Sequence, residues 1–255
     1  MNYNPIKLND VMYAQVCKVI DNIEYRKYYR FRGGRWYGGI ATGDVVGCNL
    51  KCRFCWSWRQ RDNALQYGKF YDSSQVCSRL VMIANKRGYH QVRLSGGEPT
   101  ISRRHLFGVI EYFLKKGLHF ILETNGILIG YDRSYAEQLS EYKNVHVRVS
   151  LKGVCEEEFH RLTGADPNAF NFQINALKNL LEYEVSCHPA IMLSFSEKKE
   201  VQNLVDKLRS IDTSLVNNLE EEYIFLYPHV VEILNKYGLK PKVAYSLNNM
   251  STKLI

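Results

Sequence analysis

Ile40-Ala41-Thr42-Gly43-Asp44-Val45-Val46-Gly47-Cys48-Asn49-Leu50-Lys51-Cys52-Arg53-Phe54-Cys55-Trp56 is the stretch on which the reading of this chain turns. The run Ile40 to Val46 reads as a strand, and three cysteines follow it in a C-x3-C-x2-C spacing. Spacing this short lets one loop turn three thiolates towards a common point. A thiolate is a soft anionic ligand that suits iron–sulfur clusters and zinc. A structural zinc site closes with four ligands, and most iron–sulfur clusters are held by four cysteines. Three local cysteines with no near fourth imply a metal left open to something that is not protein. The competing reading is a zinc site completed from a distance. Cys77 is the nearest candidate, but it lies in a helical stretch with no partner at metal spacing.

Outward from this loop the chain alternates strand and helix. Strands are predicted near 40–46, 90–95, 118–124, 144–151, 185–193 and 221–226, with helices near 73–87, 103–116, 132–142, 168–183, 197–210 and 228–237. Gly88 and Gly117 stand where helix C-termini need a left-handed residue. Strands separated in order by helices imply a parallel sheet with right-handed crossovers. Six such units predict an α/β fold, an incomplete (β/α)6 TIM-like barrel. A closed eightfold barrel needs about 250 residues for itself. The chain reads as a single domain: an N-terminal helical and hairpin extension (1–39), the barrel (40–226), and a C-terminal helix and tail (227–255). Val11, Met12, Val16, Val19, Ile20 and Ile23 at helical spacing predict a helix from about Leu8 to Tyr29. The alternating aromatic and basic residues of Tyr28 to Gly39 predict a β-hairpin turning at Gly33-Gly34. Arg30, Arg32 and Arg35 there suit nucleic acid by stacking and charge, or a lid with a solvated face.

With 45% hydrophobic and 24% charged residues, the 255-residue chain is globular in composition, not disordered. No apolar run approaches the roughly 20 residues that span a bilayer, and the first residues show no secretory signal. Beyond the loop, Cys17, Cys77, Cys155 and Cys187 are scattered, which predicts inert packing and a reducing cytoplasm rather than a disulfide framework. The formal net charge of +8 points to anionic partners.

Chemistry in such folds collects at the C-terminal ends of the strands, and the polar motifs fall there. Ser95-Gly96-Gly97-Glu98-Pro99 follows the second strand; its glycines let backbone approach a ligand, and Glu98 is an acceptor with nothing local to balance it. Glu123-Thr124-Asn125-Gly126 follows the third. After the fourth, alternation puts Ser150 and Lys152 on one face, and a lysine in a barrel mouth needs an anion. His188 lies on the fifth strand. His160 falls on a helical turn, and the acidic run Glu220 to Glu222 reads as a solvated edge.

The loop Cys48-x3-Cys52-x2-Cys55, with Phe54 before its last cysteine, resembles the cluster loop of the radical S-adenosylmethionine (SAM) enzymes. That resemblance, over roughly residues 40–195, implies that Cys48, Cys52 and Cys55 hold three irons of a [4Fe-4S] cluster whose fourth iron is chelated by SAM. It implies that Phe54, Gly96, Gly97, Glu98, Thr124, Asn125, Ser150, Lys152 and His188 border the SAM site, and that Lys51 and Arg53 offset the cluster's charge. It further implies an external one-electron donor, a flavodoxin or ferredoxin. Ser150-Leu151-Lys152 with His160 and Gly164 is similar to a segment of the glycyl-radical-enzyme activating enzymes, with Ser150 in place of their Asp. The expected function is therefore reductive cleavage of SAM to a 5′-deoxyadenosyl radical that abstracts hydrogen, activating-enzyme-like, from a partner protein or cofactor precursor. Two alternatives are RNA or tRNA modification, resting on the basic hairpin, and a zinc- or cluster-bearing nucleic-acid module without catalysis.

Overall fold

A computed structural model describes residues 2–246; the end of the tail, 247–255, lies outside the described residues. Among the described residues nine strands form one sheet: β1 (Cys17–Ile20), β2 (Ile23–Gly34), β3 (Ile40–Val45), β4 (Lys69–Tyr71), β5 (Gln91–Gly96), β6 (His119–Thr124), β7 (Val145–Leu151), β8 (Cys187–Met192) and β9 (Glu220–Glu222). The order is β1-β2-β3-β5-β6-β7-β8-β9, with β4 on β2. From β3 to β9 every pairing is parallel, while β1, β2 and β4 join antiparallel. The two ends of this path do not pair, so the sheet curls without closing, and the six parallel strands are those the alternating pattern predicts.

Local chemistry accounts for the elements. The helix Ser73–Arg87 opens with a capping box between Asp72 and Gln75 and stops at Gly88, whose φ is +66°. In β7, Val145, Val147, Val149 and Leu151 pack under the helices. Helix Phe170–Glu182 supplies Phe170, Ile174, Leu177 and Leu180 to that layer. This puts Arg148, Ser150 and Lys152 on the inner side of the sheet, as the period-two geometry of a strand requires. Beyond β9, β10 (Ile224–Phe225) pairs with β11 (Ala244–Tyr245), with helix Pro228–Lys236 between them. Among the described residues no helix is long and apolar enough to cross a membrane.

Four local expectations need correction. The N-terminal helix runs only from Pro5 to Val16, and the chain then reverses at Asp21-Asn22, whose φ values are +48° and +61°. Two consecutive positive φ angles are those of a type I′ hairpin turn, so Val19, Ile20 and Ile23 are strand residues. Gly33 and Gly34 do not turn the second hairpin. They are the last rungs of β2, opposite Ala41 and Ile40, and the reversal follows at Trp36–Gly39. The helix expected over 132–142 is shorter, Ser134–Ser140, and a further helix that the sequence did not suggest, Ile127–Tyr131, precedes it. The sixth strand ends at Glu222; it is the edge strand, with Glu221 exposed as expected, but Glu220 and Glu222 turn to the cleft, where Arg148 binds both.

Candidate active site

A cleft of about 1000 Å³ opens at the C-terminal ends of the parallel strands. Cys48, Cys52 and Cys55 all border it. The loop that carries them begins at Gly47, whose φ of +82° and contact with Val16 leave no room for a side chain. Within it the Leu50 amide donates to Cys48 Sγ at 3.3 Å, and Cys55 Sγ lies 3.5 Å from Ser57 Oγ. Outside it the Arg53 amide donates to the Leu162 carbonyl, and buried Arg61 donates to the Cys52 carbonyl at 2.7 Å. Burial raises the pKa of Cys48, and that of Cys52 to about 11, so metal ligation has to displace protons there. Among the described residues no three Cys, His, Asp or Glu side chains gather closely enough for a single ion. Cys17 and Cys77 are buried in the core elsewhere, and neither Cys155 nor Cys187 borders the cleft. Three thiols around one open space, with no fourth, fit a multi-iron cluster with a free position better than a closed zinc site.

Lys51 and Arg53 do not face this space. Lys51 lies over the Tyr3 ring, and Arg53 reaches the Arg161 carbonyl and the Tyr237 ring. Two cations act on the thiols instead, Lys152, which the sequence suggested, and Arg61, which it did not single out. Burial works against the Arg61 charge, but Asp62, and the Cys55 and Cys52 sulfurs once ionised, outweigh this and raise its pKa.

The glycine turn is locked to the cluster loop. Gly97 donates to the Val45 carbonyl and Glu98 to the Gly47 carbonyl, each at 2.9 Å. A Cβ on Gly97 would sit 2.0 Å from Gly47 O. The demand for glycine at 97 therefore comes already from the neighbouring backbone. Glu98 is not the unbalanced acceptor expected. Its buried carboxylate accepts from the Thr100 amide and hydroxyl, the Thr124 hydroxyl and the Asn125 amide. Burial raises its pKa while these four donors hold it down. Glu98 thus ties the ends of β5 and β6 together.

Asn125 is oriented by the Ile127 amide, which donates to its Oδ1 at 3.0 Å; its Nδ2 points to Asn49 Oδ1 at 2.7 Å and Cys48 Sγ at 3.6 Å. Thr124, Asn125, Ser150, Lys152, Phe54, Gly96, Gly97 and Glu98 all line the cleft. His188 does not. It lies one layer lower, between His146 at 2.6 Å and Glu220 at 3.2 Å. Ser150 Oγ is taken up by Arg148 at 2.8 Å, and Lys152 Nζ lies 3.7 Å from Glu222 Oε2. His160 is on a helical turn, as expected, with Nδ1 on the Ala165 carbonyl.

The sequence reading missed most of the interior charge. Arg148 grips Glu220 through two nitrogens at 2.7 and 2.8 Å and also reaches Glu222. Burial would raise the Glu220 pKa, but Arg148 and His188 bring it down to about 2. Arg93 bonds Glu123 at 2.5 Å and Thr42 at 2.9 Å. On β2 and β3, Arg30 and Arg32 share the fully buried carboxylate of Asp44. The available signal was parity: Arg148 shares its face with Ser150 and Lys152, and Arg93 with Ser95.

Curated relatives include a GTP 3′,8-cyclase of Syntrophomonas wolfei, 33% identical over 118 residues, covering 46% of this chain and 34% of the relative. A Fe-coproporphyrin III synthase of Methanosarcina barkeri is 28% identical over 166 residues, covering 63% and 38%. The chain spans between a third and a half of the length of such relatives. Among solved structures, Streptococcus suis SuiB bound to S-adenosylmethionine superposes with a TM-score of 0.54 at 20% identity, covering 76% of this chain and 44% of that one. A radical SAM methyltransferase from Sphaerobacter thermophilus gives 0.57 at 13%, covering 88% and 69%. These likenesses carry the fold, the partial barrel. The radical SAM superfamily as a whole matches residues 44–208, from Asp44 beneath the cysteine loop to the helix after β8. That span takes in the thiols, the locked glycine turn and the strand ends around the cleft, so the chain belongs to the radical SAM superfamily, whose enzymes use a [4Fe-4S] cluster and SAM.

Proposed function

We propose that Cys48, Cys52 and Cys55 hold the cluster, that SAM lies across the ends of β5, β6 and β7, and that a substrate bound in the same cleft loses a hydrogen atom. The observation that carries this is the meeting of three thiols, the Gly96-Gly97 turn, Asn125 and Lys152 on one cleft. When bound, the cluster and SAM supply one-electron cleavage of SAM to a 5′-deoxyadenosyl radical. The chain's own residues do the positioning. Glu98 fixes the distance between two strand ends, and Asn125 offers an N–H to the Cys48 sulfur. Arg61 supplies a buried positive charge beside the thiols. Phe54 against Phe195 keeps water from the loop's inner side. Lys152 is placed to exchange Glu222 for a carboxylate of SAM.

A flavodoxin or ferredoxin is the proposed electron donor. A reducing, cytoplasmic setting is supported by seven free cysteines. The activating-enzyme-like reading, with a partner polypeptide or cofactor precursor as substrate, rests on Lys152. It is weakened at Ser150, whose hydroxyl is held by Arg148. A second reading, modification of RNA or another nucleotide substrate, is favoured because Arg30, Arg32, Trp36 and Tyr37 of the N-terminal hairpin line the cleft. Anaerobic reconstitution tests the core reading: about four irons and four sulfides per chain are expected, with 5′-deoxyadenosine formed from SAM on reduction. Cys48→Ala, Cys52→Ala or Cys55→Ala abolishes both. Stoichiometric zinc without sulfide overturns the proposal.

A further inference from the structure

The paired arginines of β2 do more than neutralise Asp44. Arg30 Nε lies 2.6 Å from Asp44 Oδ2, and Arg32 binds the same carboxylate through two nitrogens at 2.8 and 3.2 Å. Two cations share one fully buried anion, so the group keeps an excess positive charge. Asp44 engages Arg30 through Nε, which leaves the terminal fork of that guanidinium outside the contact. Arg30 has an exposed indole beside it, and a second lies on the Arg32 side. Arg30 lies 5.5 Å from the Trp56 ring centre, while Arg32 Nη1 and Trp36 Cδ1 both flank Gly34. Trp36 and Trp56 are 49% and 41% exposed, unusual for the largest apolar side chain. All four residues border the cleft that holds the three cysteines. Across it, Glu220 and Glu222 are already gripped by Arg148, which places the ligand's negative charge at the Arg30 end.

We infer that Arg30 and Arg32 form a substrate subsite for a phosphate next to a planar base, and that the substrate is a nucleotide, either free or within single-stranded RNA. A guanidinium fork matches phosphate oxygens, and a flat aromatic face accepts any base by stacking. Holding both arginines on a buried carboxylate fixes the fork before the ligand arrives. This rests on the proposal above that the cleft is the substrate site.

The protein contains three tryptophans, two of which line the cleft while the third, Trp58, donates to the His229 carbonyl, so intrinsic fluorescence reports the site. The holoprotein is titrated anaerobically, with SAM present, against guanosine monophosphate, guanosine, ribose 5-phosphate and a single-stranded RNA hexamer. Iron, sulfide and SAM affinity are measured on the same samples, so failure of the cluster and SAM reading is seen separately. Saturable quenching by the monophosphate or the hexamer is expected, with guanosine and ribose 5-phosphate weaker by about tenfold or more. A tighter hexamer assigns the RNA source, and a tighter monophosphate the free nucleotide. Arg30→Gln, which leaves Arg32 on Asp44, weakens nucleotide binding about tenfold and leaves SAM affinity unchanged. Should Arg30→Gln fail to fold, Arg30→Lys keeps the charge, loses the fork and gives the same result. The inference is overturned by no quenching, by ribose 5-phosphate binding as tightly as the nucleotide, by unchanged nucleotide affinity in these variants, or by loss of SAM affinity in their place.

Discussion

At the scale of single residues, Gly97 and Lys152 separate two kinds of constraint. A methyl group on Gly97 meets the Gly47 carbonyl, which cannot move without shifting the cysteine loop. Gly97→Ala is therefore expected to lower iron content along with SAM cleavage. Normal iron content with cleavage alone lost would mean that the turn serves only the ligand. Lys152 is a matter of charge, since its ammonium lies 3.7 Å from Glu222 Oε2. A charge-assisted bond to a carboxylate is worth roughly 1.5–3 kcal/mol. Lys152→Ala should weaken SAM about tenfold to a hundredfold, and Lys152→Arg should restore part of this. Calorimetric titration of SAM into both variants checks it, and wild-type affinity in Lys152→Ala leaves the lysine no role beyond its pairing with Glu222.

At the scale of elements, the first hairpin is held by an Asp21-Asn22 turn with both residues left-handed. Left-handed backbone costs most side chains about 1–2 kcal/mol, Asn less and glycine nothing. Asn22→Val should lower the unfolding free energy by about that amount, and Asn22→Gly should raise it slightly; urea unfolding measures both. This hairpin also shows where the sequence was opaque. Val16, Val19, Ile20 and Ile23 have the spacing of a helix face, yet three of them lie in strands and Val19, Ile20 and Ile23 are exposed. β5 and β6 were legible because each follows a helix ended by a glycine, Gly88 and Gly117, whereas β9 is the acidic run Glu220–Glu222 and carries no such signal. The three thiols and the strand-end motifs were legible because each is local in sequence. The interior charges were not, because their partners are remote: Arg148 and Glu220 are 72 residues apart, and Arg93 and Glu123 are 30.

At the scale of the whole molecule, the open sheet joins its antiparallel edge to the parallel core through buried polar groups. His105 is the clearest of these. Its Nδ1 faces the Glu24 carbonyl at 3.2 Å and its Nε2 the Tyr28 hydroxyl at 2.9 Å, an arrangement made by the neutral ring. Burial lowers its pKa from 6.5 to about 4. A histidine kept neutral by folding contributes its full stability above its unfolded pKa and loses it as pH falls. Unfolding free energy should thus decline between about pH 6.5 and pH 4, by on the order of 3 kcal/mol from this group. His105→Gln should flatten that part of the profile. An unchanged slope in denaturant unfolding would assign the acid sensitivity elsewhere, His146 being the next group with a pKa near 4.

The rungs from Gly97 to Val45 and from Glu98 to Gly47 carry one more consequence, for how such a chain tolerates change in length. They extend the β3–β5 ladder past its last paired residues, so the two ligand-facing loops share one backbone frame. Their separation is counted in residues, not set by side-chain chemistry. A single residue inserted between Val46 and Cys48 slips that count and should abolish cluster binding. The same insertion at the exposed Leu65-Gln66 step, outside the ladder, should be accepted.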